Sequence, residues 1–177
     1  KFGVVVKSGA AFERFGGIRH LAVDKTGTLT RNKPTVTDVV TTGATQDGVL
    51  AWAASLEGHS THPLAAAITN AVPGAPAATD VRETAGHGIV GTLDGARLAV
   101  GSPRWLDAGT LADEVQAMES EGMTVVIIHR NDQPVGAIGV RDELRPEVPE
   151  VIATLNRRGI GVTMLTGDNA RTARALA

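Results

Sequence analysis

The spacing of hydrophobic residues predicts that both ends of the chain follow one order: a short apolar strand, a polar loop, then a helix. We expect strands at Val4–Lys7, His20–Val23 and Val162–Leu165, and helices at Ala10–Phe15, at Pro146–Arg158 and from Asn169 onward. His20–Val23 and Val162–Leu165 are apolar enough to predict buried strands. In open parallel sheets, the loops that follow such strands carry the chemistry.

The middle of the chain has a different pattern, with two helices followed by hairpins. Helical spacing puts Val49, Leu50, Ala53 and Leu56 on one face of a helix over Asp47–Glu57. Further elements are expected at Thr35–Thr42, Pro63–Ala71, Ile89–Leu93, Ala96–Val100, Thr110–Ser120, Val125–His129 and Val135–Val140. The sequence therefore predicts an α/β domain made of residues 1–33 and 142–177, interrupted by an α+β domain over residues 34–141.

Composition narrows the classes of function. Of the 177 residues, 42% are hydrophobic, which is enough for a real core. Cysteine is absent, so a disulfide framework and a thiolate metal site are excluded. A net charge of -2 offers no global basic field, and we expect no nucleic-acid partner. No apolar run approaches the roughly 18–20 residues of a membrane span, and no signal peptide is recognisable.

A run of seven residues, Asp24-Lys25-Thr26-Gly27-Thr28-Leu29-Thr30, follows the His20–Val23 strand. A carboxylate at a strand end is well placed for in-line attack on a phosphate, and the glycine and threonines supply N–H groups and hydroxyls for phosphate oxygens. Such a nucleophile splits phosphoryl transfer into two steps through an acyl phosphate, and Mg²⁺ neutralises charge. The alternative is that Asp24 merely caps a turn, which would suit a lone Asp-Lys-Thr better.

Two further motifs are weak signals when each is taken alone. Glu57–Leu64 ends one predicted helix and begins the next; His62 could stack on a purine, and Glu57 could accept from its amino group. The plain interpretation is an ordinary helix N-terminus at His62-Pro63 and a glycine-rich turn at Gly86–Gly91. The functional interpretation of that turn is close backbone approach to a ligand. A metal site of His59, His62 and His87 is a weaker alternative, because no acidic or cysteine partner has ligand spacing.

Taken together, these motifs resemble heavy-metal (type IB) P-type ATPases over essentially the whole chain. Asp24–Thr30 matches the family's phosphorylation motif without substitution, and Ser60–Pro63 matches its Ser-x-His-Pro motif. The resemblance implies that Asp24 is the phosphorylated residue, that the Thr26 carbonyl helps to hold Mg²⁺, and that Lys25 belongs to the catalytic motif. Thr166, Gly167 and Asp168 resemble the second phosphate loop, whose Thr and Gly contact the phosphoryl group.

The same resemblance assigns the nucleotide contacts. They are Glu57, His62, Pro63, Gly86, Gly88, Gly101 and Ser102. Ser102 stands where many members have Asn, and Thr61 stands where copper pumps usually have Glu, which favours zinc, cadmium or cobalt. The segment Asp142–Pro146 resembles the hinge at which the chain returns to the phosphorylation domain. It also suits a plain helix N-terminus with Pro146 in the first turn.

The implied fold is an incomplete, discontinuous haloacid dehalogenase-like (Rossmann-type) phosphorylation domain with an inserted α+β antiparallel-sheet nucleotide-binding domain. The implied cofactors are ATP and Mg²⁺. The implied location is a cytoplasmic loop of an integral plasma-membrane protein of a bacterium, with the transported heavy-metal cation bound by transmembrane helices outside this sequence. We expect the piece to be monomeric. Two alternatives stay open: a module that only binds nucleotide, and a haloacid dehalogenase-like phosphatase, whose second acid is replaced by Thr26.

Overall fold

The structure is a computed structural model that describes Val5 and residues 8–165, without the side chain of Ala11. Some expected features lie outside the described residues. They are the strand at Val4–Lys7 (except Val5), the loop at Thr166–Asp168 and the helix from Asn169 onward. The elements are α1 (Gly9–Phe15), β1 (His20–Asp24), β2 (Thr35–Thr41), α2 (Gln46–Glu57), α3 (Pro63–Ala71), β3 (Thr79–Thr84), β4 (Gly88–Leu93), β5 (Ala96–Gly101), α4 (Ala112–Ser120), β6 (Thr124–Arg130), β7 (Gln133–Arg141), α5 (Val148–Arg157) and β8 (Gly161–Leu165).

An antiparallel sheet occupies the middle of the chain, with strand order β2-β7-β6-β5-β4-β3. The two predicted hairpin turns are confirmed: Asp94, Asn131 and Asp132 all have positive φ, as two-residue turns require. One strand was missed. Val81 is the sole apolar residue of β3, because β3 pairs with β4 at the edge of the sheet and has little to bury.

Helices cover this sheet on both faces. The predicted face of α2 is confirmed: Val49, Ala53 and Leu56 are fully buried in a core that includes Ile128 and Ile138. On the opposite face a second core joins α4 to the sheet, through residues that include Val115, Met118, Val125, Ile127 and Ala137. Successive residues of β6 thus enter alternate cores, which explains its continuous apolar run.

Two glycines allow α2 to lie close to the sheet. A Cβ on Gly136 would stand 2.7 Å from Val49 Cγ1 and 2.9 Å from the carbonyl oxygen of Val40. A Cβ on Gly91 would stand 2.7 Å from Leu56 Cδ2. Both distances are shorter than van der Waals contact, so a larger residue would force the helix outward. The last residue of α2, Glu57, takes its position from this packing.

The segments before and after the antiparallel sheet pair with each other. Strands β1 and β8 are parallel, with His20 opposite Gly161 and Asp24 opposite Leu165. The prediction that both strands are buried was wrong, since Leu21 is 36% exposed and Leu165 is 52% exposed. Among the described residues these strands form a two-stranded sheet, so neither has a second neighbour to cover it.

The chain crosses between the two sheets twice, and hydrogen bonds connect the two crossing segments. Thr30 and Leu144 form an antiparallel bridge, and the Arg31 amide donates to the Glu143 carbonyl at 3.0 Å. The Asp142 carboxylate accepts from the Thr30 hydroxyl at 2.5 Å and from the Lys33 amide at 3.1 Å.

The alternative that Pro146 stands in the first turn of a helix was wrong. The helix begins at Val148, so Pro146 precedes it and Pro149 occupies its first turn instead. The Val148 amide donates to the Arg145 carbonyl at 3.0 Å, which forms the turn just before the helix.

Gly136→Ala tests the close packing of α2. The added methyl meets a backbone carbonyl as well as Val49, so we expect the free energy of unfolding to fall by about 1–3 kcal/mol. Urea unfolding followed by circular dichroism measures this change. The matched control is Gly9→Ala, where no atom lies within 4 Å of the added Cβ. Equal stability of Gly136→Ala and the wild type would contradict the packing described here.

Candidate nucleotide and phosphorylation sites

A cavity of about 220 Å³ lies where the end of α2 and the start of α3 meet strands β3 to β6. Six of the seven predicted nucleotide residues line this cavity, namely Glu57, His62, Gly86, Gly88, Gly101 and Ser102. Its apolar lining includes Leu64, Ile89 and Val100. The seventh predicted residue, Pro63, lines the neighbouring cavity instead.

His62 is held in one orientation at the start of α3. Its Nδ1 accepts from the Leu64 amide at 3.2 Å, so His62 is the N-cap of the helix and Pro63 stands in the first turn. When the ring is neutral, its proton therefore lies on Nε2. The Ser60 hydroxyl accepts from the His62 amide at 3.3 Å and donates to Glu83 Oε1 at 3.0 Å. The plain helix-start interpretation is thus correct, and the ring also lines the cavity.

The glycines of the cavity have two different structural roles. Gly86 has φ +76° and open space around the position of a Cβ. At Gly88 and Gly101, a Cβ would come within 2.8 Å of Trp105 ring atoms, so the ring fills the room that these glycines leave. Sequence reasoning expected close backbone approach to a ligand and missed Trp105, which also meets His87 edge to face at 6.1 Å. No spacing in the sequence connects Trp105 with these glycines.

Glu57 is the buried carboxyl group of this cavity, with only 7% of its surface exposed. Burial, and secondly the nearby Glu83 carboxylate, raise the pKa of Glu57 to about 7. Sequence reasoning missed Glu83, which stands on the edge strand β3 that it did not predict. A raised carboxyl pKa inside a cavity is typical of a functional site.

Asp24 ends β1, and its carboxylate is exposed. Its side chain makes no capping hydrogen bond to the turn that follows, so the interpretation that Asp24 merely caps a turn is wrong. The loop itself is held by other groups: the Gly27 amide donates to Thr30 Oγ1 at 3.1 Å, and Arg145 donates to the Gly27 carbonyl at 3.2 Å. Lys25 is buried.

A second cavity, of about 310 Å³, extends from the Asp24 loop to the start of α3. Lys25, Thr26 and Asn32 line one part of it, and His62 and Pro63 line another. His62 lines both cavities, so the space around the Asp24 loop adjoins the space around Glu57.

The weaker alternative of a histidine metal site is not supported by the arrangement of side chains. Within residues 8–165, no three His, Cys, Asp or Glu side chains are grouped so that they could hold a metal ion. In the same part of the chain, no helix is both long and apolar enough to cross a membrane.

The model of the haloacid dehalogenase-like hydrolase family matches residues 18–177. "Probable cation-transporting ATPase G" of Mycobacterium tuberculosis is 54% identical over 100% of this chain and 23% of its own length. The zinc/cadmium/lead-transporting P-type ATPase of Shigella sonnei is 39% identical over 99% of this chain and 25% of its own length. Relatives named as copper-transporting ATPases also match. The chain thus spans about a quarter of the length of these relatives.

Among solved structures, a zinc-transporting PIB-type ATPase in its E2.Pi state is similar to this chain. It superposes with a TM-score of 0.74 at 38% identity, over 99% of this chain and 30% of that one. The fold expected from the sequence, a haloacid dehalogenase-like region with an antiparallel α+β part, is confirmed.

The raised pKa of Glu57 predicts how stability depends on pH. The folded chain keeps the Glu57 proton up to pH about 7, whereas the unfolded chain loses it near pH 4.5. The free energy of unfolding of the wild type, measured relative to that of Glu57→Gln, should therefore fall by on the order of 3 kcal/mol as pH rises from 4.5 to about 7. Above pH 7 the difference between the two proteins should stay level. Urea unfolding at several pH values measures the difference. Glu114→Gln, on the exposed face of α4, is the control, and a pH-independent difference between wild type and Glu57→Gln would contradict the prediction.

Proposed function

The chain belongs to the haloacid dehalogenase-like hydrolase family, and on that premise we propose that it binds ATP and accepts its γ-phosphoryl group on Asp24, within a metal-transporting P-type ATPase. The observation that carries the proposal is the exposed Asp24 carboxylate, which ends a parallel strand in a loop held by other side chains. A cavity joins this loop to the residues of the Ser-x-His-Pro motif.

We propose a division into two domains along the lines expected from the sequence. Residues 1–33 and 142–177 form the phosphorylation domain, and residues 34–141 form the nucleotide-binding domain. The pairing of β2 with β7 supports this division, because it brings the two ends of the insert side by side. The bridge between Thr30 and Leu144 lies just outside that pair.

In the proposed reaction, an Asp24 carboxylate oxygen attacks the γ-phosphorus of ATP. The bond between that phosphorus and the β,γ-bridging oxygen breaks, and ADP leaves with the electron pair. Water later hydrolyses the acyl phosphate and returns Asp24 to a carboxylate. Thr26 stands where the related phosphatases have a second acid, so no general acid–base at that position speeds the hydrolysis. A long-lived acyl phosphate suits a cycle that couples phosphorylation to transport.

Mg²⁺ prefers hard oxygen ligands, and we propose that the Asp24 carboxylate and the Thr26 carbonyl supply two of them. When bound, Mg²⁺ would neutralise charge between Asp24 and the γ-phosphate. Lys25 belongs to the same motif, and we propose that Thr166, Gly167 and Asp168 complete the phosphate loop.

We propose that adenine enters the 220 Å³ cavity, with the His62 ring stacked on it and Glu57 accepting from its amino group. Gly86 leaves room for the ligand. The Ser102 hydroxyl oxygen is buried and has no hydrogen-bond partner among the described residues, so it is available to a bound nucleotide. Gly88 and Gly101 act by shaping the wall with Trp105, and Pro63 by starting α3.

For the whole protein we propose ATP-driven transport of a heavy-metal cation, with this chain as a cytoplasmic loop of a bacterial membrane protein. The residue Thr61 favours zinc, cadmium or cobalt over copper. The name of one relative, a zinc/cadmium/lead-transporting ATPase, agrees with this preference, and the name of another gives copper.

Asp24→Asn in the whole protein tests the phosphorylation proposal. The amide preserves shape but is no nucleophile, so ATP binding should persist while the acid-stable, hydroxylamine-labile phosphoprotein is lost. Labelling with γ-³²P-ATP and Mg²⁺ measures this. Asp113→Asn, an exposed aspartate of α4, should label like the wild type. Wild-type labelling of Asp24→Asn would refute the assignment, and a wild-type protein that binds ATP without any labelling would favour the nucleotide-binding module.

Substitutions of His62 separate its ring from its capping role. His62→Ala removes both, so ATP affinity should fall about 5- to 150-fold and stability by about 0.5–2 kcal/mol. His62→Asn restores a capping acceptor without the ring, so stability should recover while affinity stays low. Calorimetry and thermal unfolding measure the two effects. His59→Ala, at an exposed residue outside the motif, should change neither. Wild-type ATP affinity in His62→Asn would leave His62 as a helix cap alone.

A further inference from the structure

We propose that Glu57 recognises adenine as a neutral carboxylic acid, and that Glu83 in the same cavity helps to hold Glu57 in that state. This inference rests on the proposed ATP site and concerns the chemistry by which that site selects its base. It changes the role of Glu57 from a simple acceptor to a paired donor and acceptor.

The surroundings of Glu57 favour the neutral form. Glu57 is buried, with 7% of the residue's surface exposed, and Leu64, Ile89 and Val100 line the same cavity. The other titratable groups that line it are His62 from the start of α3, Glu83 from β3 and His87 from the turn before β4. No Lys or Arg among the described residues lines it. Among the described residues no ion pair to Glu57 is formed. A buried carboxylate without a cation is costly, so the proton is retained.

Glu83 adds a charge of the same sign. The Ser60 hydroxyl donates to Glu83 Oε1 at 3.0 Å, which fixes the Glu83 carboxylate on the cavity wall. Ser60 also accepts from the His62 amide, so the Ser-x-His-Pro segment itself positions Glu83. The negative charge of Glu83 is the second cause, after burial, that raises the pKa of Glu57 to about 7.

The two protonation states of a carboxyl group match different purines. The acid offers a carbonyl that accepts and a hydroxyl that donates, which pairs with the adenine amino group and N1. The carboxylate offers only acceptors, so it would face the lone pair of adenine N1, but it matches the two N–H donors of guanine on its Watson–Crick edge. A mismatched buried polar pair costs much of the binding energy, so the proton on Glu57 selects adenine.

The test is calorimetric affinity of the full chain for ATP and GTP between pH 6 and 9. We expect ATP affinity to fall toward tenfold per pH unit above about pH 7, with proton uptake on binding, and the ATP-to-GTP affinity ratio to fall as well. In Glu57→Gln, the amide reproduces the donor and acceptor of the acid. It should therefore bind ATP like the wild type at pH 6 and keep that affinity at pH 9.

Two further variants complete the design. Glu83→Gln removes the like charge, so the pH at which ATP affinity declines should move lower. Glu114→Gln, on α4 and away from the cavity, should behave like the wild type. The ATP phosphates and every residue other than position 57 are common to wild type and Glu57→Gln, so their contribution cancels in the ratio of the two affinities at each pH.

The outcomes separate this inference from the proposed function. ATP binding by the wild type with the same pH profile as Glu57→Gln would overturn the inference and leave the ATP site standing. Weaker ATP binding by Glu57→Gln at pH 6, by tenfold or more, would also overturn it and assign Glu57 as a carboxylate acceptor. A folded wild type that binds neither nucleotide at any pH would overturn the proposed function and this inference with it.

Discussion

The close approach of α2 to the antiparallel sheet is the constraint on which the rest of this structure depends. Gly91 and Gly136 leave room for Leu56 and Val49, and the helix packs against the strands with Val49, Ala53 and Leu56 fully buried. Because Glu57 is the last residue of that helix, the same packing carries a carboxyl group into an apolar cavity. The stability of the sheet and the chemistry of the candidate nucleotide site are therefore set by one interface.

Two carboxyl groups of this chain stand in opposite environments, and the difference suits different tasks. Asp24 is exposed at the end of a parallel strand and makes no capping hydrogen bond to the turn that follows, which suits the nucleophile proposed for this position. Glu57 is buried beside Glu83, where a neutral group that donates and accepts hydrogen bonds is favoured. In the proposed roles, environment and not residue type separates the nucleophile from the group that recognises the base.

The crossing near Thr30 connects these two places. Asp142 accepts hydrogen bonds from Thr30 and from the Lys33 amide, so the two passages of the chain between the sheets are held as a pair. Asp142 and Lys25 also line the cavity that adjoins His62. A movement of these two segments would thus alter the distance between the proposed phosphorylation loop and the proposed base-binding cavity. That distance must suit a nucleotide that reaches both places.

By itself the sequence determined the phosphorylation motif, the family resemblance, the hairpin turns and the amphipathic face of α2, because these depend on residues that are close in the chain and on a local period. The structure then brings six of the seven nucleotide residues named from the sequence to one cavity. Only the tertiary structure decided that Trp105 fills the room beside Gly88 and Gly101, that neither β1 nor β8 is buried, and that Glu83 stands near Glu57. Burial and proximity arise where elements distant in sequence pack together, and no local spacing records them.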